Sequence, residues 1–206
     1  MKVKVCGITQ HAQLRALEEL GVDYAGLIFY PGSKRFVGKQ LSGADAEAVS
    51  IKKIGVFVNE EISKMISLIQ EYHLYAVQLH GGEDATTCAD LQPHAVVIKA
   101  LAVQPDANLD ALAEPYANAV NYFLFDTASA AGSGGTGNRW DWALLKTYSL
   151  QKPFFLSGGI ALQDAAAIKK ITHPMLYAVD INSRFETTPG VKNLERVQAF
   201  IKELNS

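Results

Sequence analysis

Cysteine is scarce in this chain: two in 206 residues, Cys6 and Cys88. That count excludes a disulfide framework and suits free thiols in a reducing compartment. Surplus charge is missing too, with a net charge of −2, so no basic face is expected for nucleic acid. No run approaches the ~20 consecutive apolar residues of a membrane span. The start, Met1-Lys2-Val3-Lys4-Val5, has no long apolar stretch and does not read as a signal peptide. The five histidines, His11, His73, His80, His94 and His173, show no metal-ligand spacing. These absences leave a cytoplasmic α/β protein without nucleic-acid or membrane partners. About half the residues are apolar, enough for a sizeable core.

Short β-branched or aromatic runs recur along the chain: Lys2–Cys6, Tyr24–Phe29, Ile54–Val58, Tyr75–His80, Val96–Ala100, Tyr122–Asp126, Pro153–Ser157 and Leu176–Ile181. Helical patterns separate them: His11–Leu20, Glu60–Tyr72, Glu83–Leu91, Leu109–Ala113, Trp140–Tyr148, Leu162–Lys170 and Asn193–Leu204, with a weaker one at Ala44–Val49. Strands alternating with helices imply parallel pairing, because each crossover returns the chain to the same end of the sheet. Eight such units predict a (β/α)8 TIM barrel forming a single domain over residues 1–206. An open doubly wound sheet is the alternative, but Cys6-Gly7-Ile8-Thr9 is not the glycine-rich turn expected after its first strand. Thr9 and Asn59 are placed to cap the helices that follow them, and Gly21 to stop the first.

In such a barrel the chemistry gathers at the C-terminal ends of the strands. Those ends carry Cys6-Gly7, Ser33-Lys34-Arg35, Asn59, Gln78-Leu79-His80, Lys99, Asp126-Thr127, Ser157-Gly158-Gly159 and Asp180-Ile181-Asn182-Ser183. Cys6 reads either as a small buried hydrophobe or as a reactive thiol. Lys4, two residues earlier, faces the same side and favours thiolate. Lys4 itself needs a partner, for which Asp180 on the neighbouring strand is the candidate. Asp126 closes an aromatic run, where desolvation raises a carboxyl pKa and suits a general acid; the other reading is a helix cap. Gly158-Gly159 form a tight turn or, with Asn182 and Ser183, an anion site. The glycine-rich stretch 131–137 is either a linker or a lid over substrate. Cys88 lies in a helical pattern and reads as packing.

The blocks Lys4-Val5-Cys6-Gly7-Ile8-Thr9, Gln78-Leu79-His80-Gly81, Phe125-Asp126-Thr127, Gly134-Gly135-Thr136-Gly137, Leu156-Ser157-Gly158-Gly159-Ile160, and Val179-Asp180 through Pro189-Gly190-Val191-Lys192 stand in an order that resembles the phosphoribosylanthranilate isomerase family. Tyr30 through Phe36 also looks like that family's second loop. The resemblance covers essentially the whole chain. It implies an Amadori rearrangement of a phosphorylated small molecule in tryptophan biosynthesis, without cofactor or metal. It further implies Cys6 as general base and Asp126 as general acid, with Arg35, Gln78, His80 and Asp180 on the substrate. Gly135, Gly158, Gly159, Asn182 and Ser183 would hold its phosphate. A monomer is expected, with a homodimer as the alternative. A related sugar-isomerase family of histidine synthesis pairs two aspartates, one where Cys6 stands here, which argues against it. A non-catalytic binding barrel would need neither Cys6 nor Asp126.

One position departs from the family pattern. Arg184 stands where a glycine is usual. Either arginine strains a positive-φ turn, or its guanidinium adds a charged phosphate contact.

Overall fold

A computed structural model describes residues 1–38, 40–128 and 139–206. Eight parallel strands close into a barrel in sequence order: β1 (Lys2–Cys6), β2 (Tyr24–Ile28), β3 (Lys52–Phe57), β4 (Ala76–Leu79), β5 (Val96–Val103), β6 (Tyr122–Thr127), β7 (Phe154–Leu156) and β8 (Leu176–Ile181). β1 closes the ring on β8, with Lys4 opposite Asp180. Around the strands lie α1 (His11–Glu19), α2 (Gly43–Glu47), α3 (Ile62–Glu71), α4 (Ala85–Leu91), α5 (Leu109–Ala113), α6 (Ala165–Lys169) and α7 (Leu194–Asn205). The predicted barrel is therefore the observed one. A two-stranded antiparallel ribbon, β9 (Glu186–Thr188) with β10 (Val191–Lys192), lies outside the pattern read from sequence.

Two apolar layers form because successive side chains of a strand point to opposite faces. Inside the barrel sit Tyr24, Ile54, Ala76, Ile98, Ala100, Leu124, Phe155 and Ala178. The opposite faces of the strands pack against the helices, where α3 contributes Met65, Leu68 and Ile69 and α7 contributes Val197, Phe200 and Leu204. That spacing gives each helix one apolar stripe.

Local punctuation differs from expectation in places. Gly21 does stop α1, at φ 72°. Thr9 is not a cap: α1 begins after Gln10, and the Thr9 hydroxyl donates to Gly190 O at 3.0 Å, tying the first loop to the ribbon. Asn59 does not cap α3 either, which begins after Glu61. It takes a positive φ of 51° and its side chain accepts from Gly82 N–H, bracing the next loop. The predicted helix Trp140–Tyr148 is a 3₁₀ segment, Trp142–Thr147. The Trp140 indole N–H donates to Ser157 O at 2.9 Å and Asp141 caps Ala143, so the helical turns begin only at Trp142. The predicted helix Leu162–Lys170 begins as 3₁₀ over Leu162–Asp164 before α6.

Candidate active site

The barrel's alternation decides which polar side chains reach the interior. Two residues beyond an inward-facing core position the side chain again points inward, now at the rim. Thus Ala76 is followed by Gln78 and His80, Leu124 by Asp126, Phe155 by Ser157, and Ala178 by Asp180 and Asn182. On β1, Lys4 and Cys6 share this face, because Lys4 pairs with the inward Tyr24. These residues, Lys4 excepted, line one cavity together with Tyr30, Ser33, Arg35, Gly158, Gly159 and Ser183. The cavity holds about 770 Å³, including the part open to solvent, within the range of small-molecule sites.

Lys99 obeys the same rule with the opposite result. It lies between the inward Ile98 and Ala100, so it leaves the barrel and points toward the helices. There it is buried, paired with Glu83 at 2.8 Å and bonded to Gly81 O at 2.8 Å. Its place at a strand end suggested the site; its register removes it.

Lys4 has no exposed surface. Its ammonium donates to Asp180 at 2.8 Å and to the Gln78 carbonyl oxygen at 2.7 Å. Burial disfavours this ammonium, but Asp180 and Cys6 outweigh it and hold the pKa above the ordinary lysine value. The expected Lys4–Asp180 pair is therefore present. The expected depression of the Cys6 thiol is not. Burial of the sulfur raises its pKa by more than Lys4 and Lys192 lower it, so the thiol stays above its usual value. Proximity to a cation was read correctly, but the cation is spent largely on Asp180 while the sulfur is fully desolvated.

The expected rise of the Asp126 pKa is present. Burial raises its pKa, against the backbone N–H of Thr127, the Lys4 charge and Ser157, which lower it. The Thr127 N–H donates to Asp126 Oδ1 at 2.7 Å. On its other side, Oδ2 lies 3.5 Å from His80 Nε2. Burial, with Lys4 and Lys99, lowers the His80 pKa to about 4, so at neutral pH this is a contact between a neutral ring and a carboxyl group. Gln78 completes the row, 2.8 Å from His80 Nδ1 through its amide nitrogen.

One buried acceptor in this cluster, Asp180 Oδ1, has no partner among the described residues. Such an atom is rare in a folded protein, and here it borders the cavity.

At the far rim, Gly158 and Gly159 adopt φ of 97° and 63°. A Cβ on Gly158 would also meet the Thr127 backbone N at 2.8 Å, so only glycine lets this turn press against β6. Among the described residues the N–H groups of Gly158, Gly159 and Ile160 have no backbone acceptor. Gly26 does similar service for Cys6: a Cβ there would lie 2.7 Å from its Sγ. Sequence reading missed Gly26, whose signal was a glycine inside a strand with no turn to explain it.

Arg35 is held by both oxygens of Glu186, at 2.7 to 3.0 Å. Glu186 also takes Lys192 at 2.6 Å, and Lys192 reaches Asn182 Oδ1 at 2.7 Å. Burial opposes this carboxylate, yet Arg35 and Lys192 keep its pKa below the ordinary value. Glu186 and Lys192 went unassigned in the sequence; the return of the β9–β10 ribbon beneath the second loop brings them to Arg35. Arg184 is exposed, in the 3₁₀ turn Ser183–Phe185, and its φ is not positive. The strained-turn reading is therefore excluded. Gly135 and the glycine-rich stretch lie outside the described residues.

The family model described as N-(5'phosphoribosyl)anthranilate (PRA) isomerase matches residues 3–203. The chain is 39% identical over 208 residues to the N-(5'-phosphoribosyl)anthranilate isomerase of Parabacteroides distasonis, covering 99% of this chain and 93% of that one. Its fold is similar to that of the phosphoribosyl anthranilate isomerase from Thermus thermophilus, with a TM-score of 0.87 at 28% identity over 100% of this chain and 98% of that one. It is similar also to a phosphoribosyl anthranilate isomerase crystallised with reduced 1-(o-carboxyphenylamino)-1-deoxyribulose 5-phosphate, with a TM-score of 0.80 at 30% identity over 100% of this chain and 98% of that one. By the span of the family match and the identity to its relatives, the chain belongs to the N-(5'-phosphoribosyl)anthranilate isomerase family.

Proposed function

We propose that Cys6 and Asp126 are the proton-transfer pair with which this chain isomerises N-(5'-phosphoribosyl)anthranilate to 1-(2-carboxyphenylamino)-1-deoxyribulose 5-phosphate in tryptophan biosynthesis. The observation that carries this reading is the shared cavity: sulfur from β1 and carboxyl from β6 line one pocket whose far rim is the Gly158-Gly159 turn.

The steps follow from what each group can do. The Asp126 carboxyl gives its proton to the furanose ring oxygen. The C1–O bond breaks as the anthranilate nitrogen's electron pair forms a C1=N⁺ iminium. The Cys6 thiolate then takes the proton from C2, and those electrons form the C1=C2 bond and neutralise the nitrogen. The enolamine becomes the ketone by losing the C2 hydroxyl proton and gaining one at C1. The iminium acidifies C2, so a modest base suffices. Lys4 stabilises the thiolate once formed.

The phosphate sits against the N–H groups of Gly158 and Gly159, with Asn182 and Ser183 opposite. Anchoring this remote group fixes the reacting carbons. Arg35, held rigid by Glu186, faces the anthranilate carboxylate. Gln78 and His80 form the wall beside Asp126. Asp180 Oδ1 accepts from a sugar hydroxyl or the bridging amine.

The test is a fluorescence assay of phosphoribosylanthranilate consumption across pH. The reactive form pairs a thiolate with a carboxylic acid, although the thiol has the higher pKa. Its population rises with pH below the Asp126 pKa, is level between the two, and falls above the Cys6 pKa. The acid limb of kcat/KM thus belongs to Asp126 and the alkaline limb to Cys6. We expect turnover with a broad plateau whose alkaline limb lies above the ordinary thiol value of ~8.5. Absence of turnover, or an alkaline limb near neutrality, contradicts the assignment.

A further inference from the structure

We propose that Gln78 is a positioning residue that locks His80 in its Nε2–H tautomer, so that the ring offers a donor and never an acceptor to Asp126.

The chain of hydrogen bonds leaves one solution. An ammonium only donates, so the Gln78 atom 2.7 Å from Lys4 Nζ is the carbonyl oxygen. The amide nitrogen therefore faces His80 Nδ1, at 2.8 Å. An amide nitrogen also only donates, so Nδ1 accepts and carries no proton. His80 is neutral, with its pKa lowered to about 4 by burial and by Lys4 and Lys99. Its single ring proton is left on Nε2, the atom 3.5 Å from Asp126 Oδ2. Gln78 is nearly without exposed surface, at 1%, so solvent cannot reverse it. The orientation starts from Lys4, whose own place is set by Asp180.

The chemical consequence rests on the acid role proposed for Asp126. In the opposite tautomer a bare Nε2 lone pair would face the carboxyl and hold its proton, in competition with the sugar ring oxygen. In the locked tautomer that proton is free for substrate. Nε2–H then supports the carboxylate left behind, the contact tightening as charge develops. The row Asp180–Lys4–Gln78–His80–Asp126 thus joins the surroundings of the base to those of the acid.

The test is ¹⁵N NMR of the full chain labelled at histidine, with His80 assigned through a His80→Gln variant. In the unsubstituted protein the proton should sit on Nε2. Finding it on Nδ1 overturns the proposal without any Gln78 variant. In Gln78→Glu the carboxylate accepts from both neighbours, so the proton should move to Nδ1. In Gln78→Met, which neither donates nor accepts strongly, the two tautomers should mix. If both variants keep the proton on Nε2, Gln78 is not the lock. Gln78→Glu should also lose about tenfold or more in kcat, with KM within about threefold. A shifted tautomer with unchanged kcat overturns the positioning role. Failure of the acid role itself shows separately, as full turnover in Asp126→Asn.

Discussion

Replacing Cys6 by alanine is expected to lower kcat by ~10²- to 10⁴-fold while leaving the barrel folded. The sulfur makes no hydrogen bond on which a strand depends, and the ladder from β1 to β2 and β8 runs through backbone groups. Its loss opens only a small void beside Gly26. Lys4 keeps Asp180 and Gln78 as partners and so remains a satisfied buried cation. Of the other titratable side chains lining the cavity, Asp180 is paired with Lys4. His80 is neutral but its free lone pair faces Gln78, and Asp126 holds the proposed role of acid. Turnover by fluorescence, with circular dichroism for the fold, checks this. A Cys6→Ala protein with near-normal kcat refutes the base assignment.

Asp126→Asn should cost a similar factor in kcat, for a different reason. The amide keeps an oxygen for the Thr127 N–H bond and fits the same space, but has no proton to give the ring oxygen. Its stability should move the other way. Burial raises the Asp126 pKa. A carboxyl whose pKa is higher folded than unfolded destabilises the fold at every pH above its unfolded value, because ionisation then favours the open chain. The penalty grows up to the folded pKa and is constant beyond it. Removing the charge at neutral pH therefore gives a Tm equal to or above that of the unsubstituted protein. Loss of activity with a lowered Tm would mark Asp126 as structural instead.

The barrel was legible because strand and helix signals alternate so regularly; β1 and β8 fall on the residues read from sequence, and Lys4 meets Asp180 as foreseen. The rim was legible too, since polar residues end most apolar runs. Less legible was anything set by which face a side chain takes. Lys99 stands near the end of its expected strand, as Gln78 does, yet one step of register sends it to Glu83. Thr9 and Asn59 look like helix caps locally, but Thr9 is claimed by Gly190 and Asn59 by Gly82, partners that only strand pairing in the folded barrel brings near. The Cys6 thiol shows the limit most clearly. Sequence revealed the neighbouring cation but not the depth of burial, and burial decides the direction of the shift. The grip of Glu186 on Arg35 depends on a ribbon with no sequence signal of its own.

A crystal structure of this chain with the reduced product analogue measures the central geometry directly. The account predicts phosphate density against the Gly158-Gly159 turn. It also predicts C2 of the sugar within ~3–3.5 Å of Cys6 Sγ, with the Asp126 carboxyl beside the oxygen released from the ring. A ligand whose phosphate lies elsewhere, or whose C2 is out of reach of the sulfur, contradicts it.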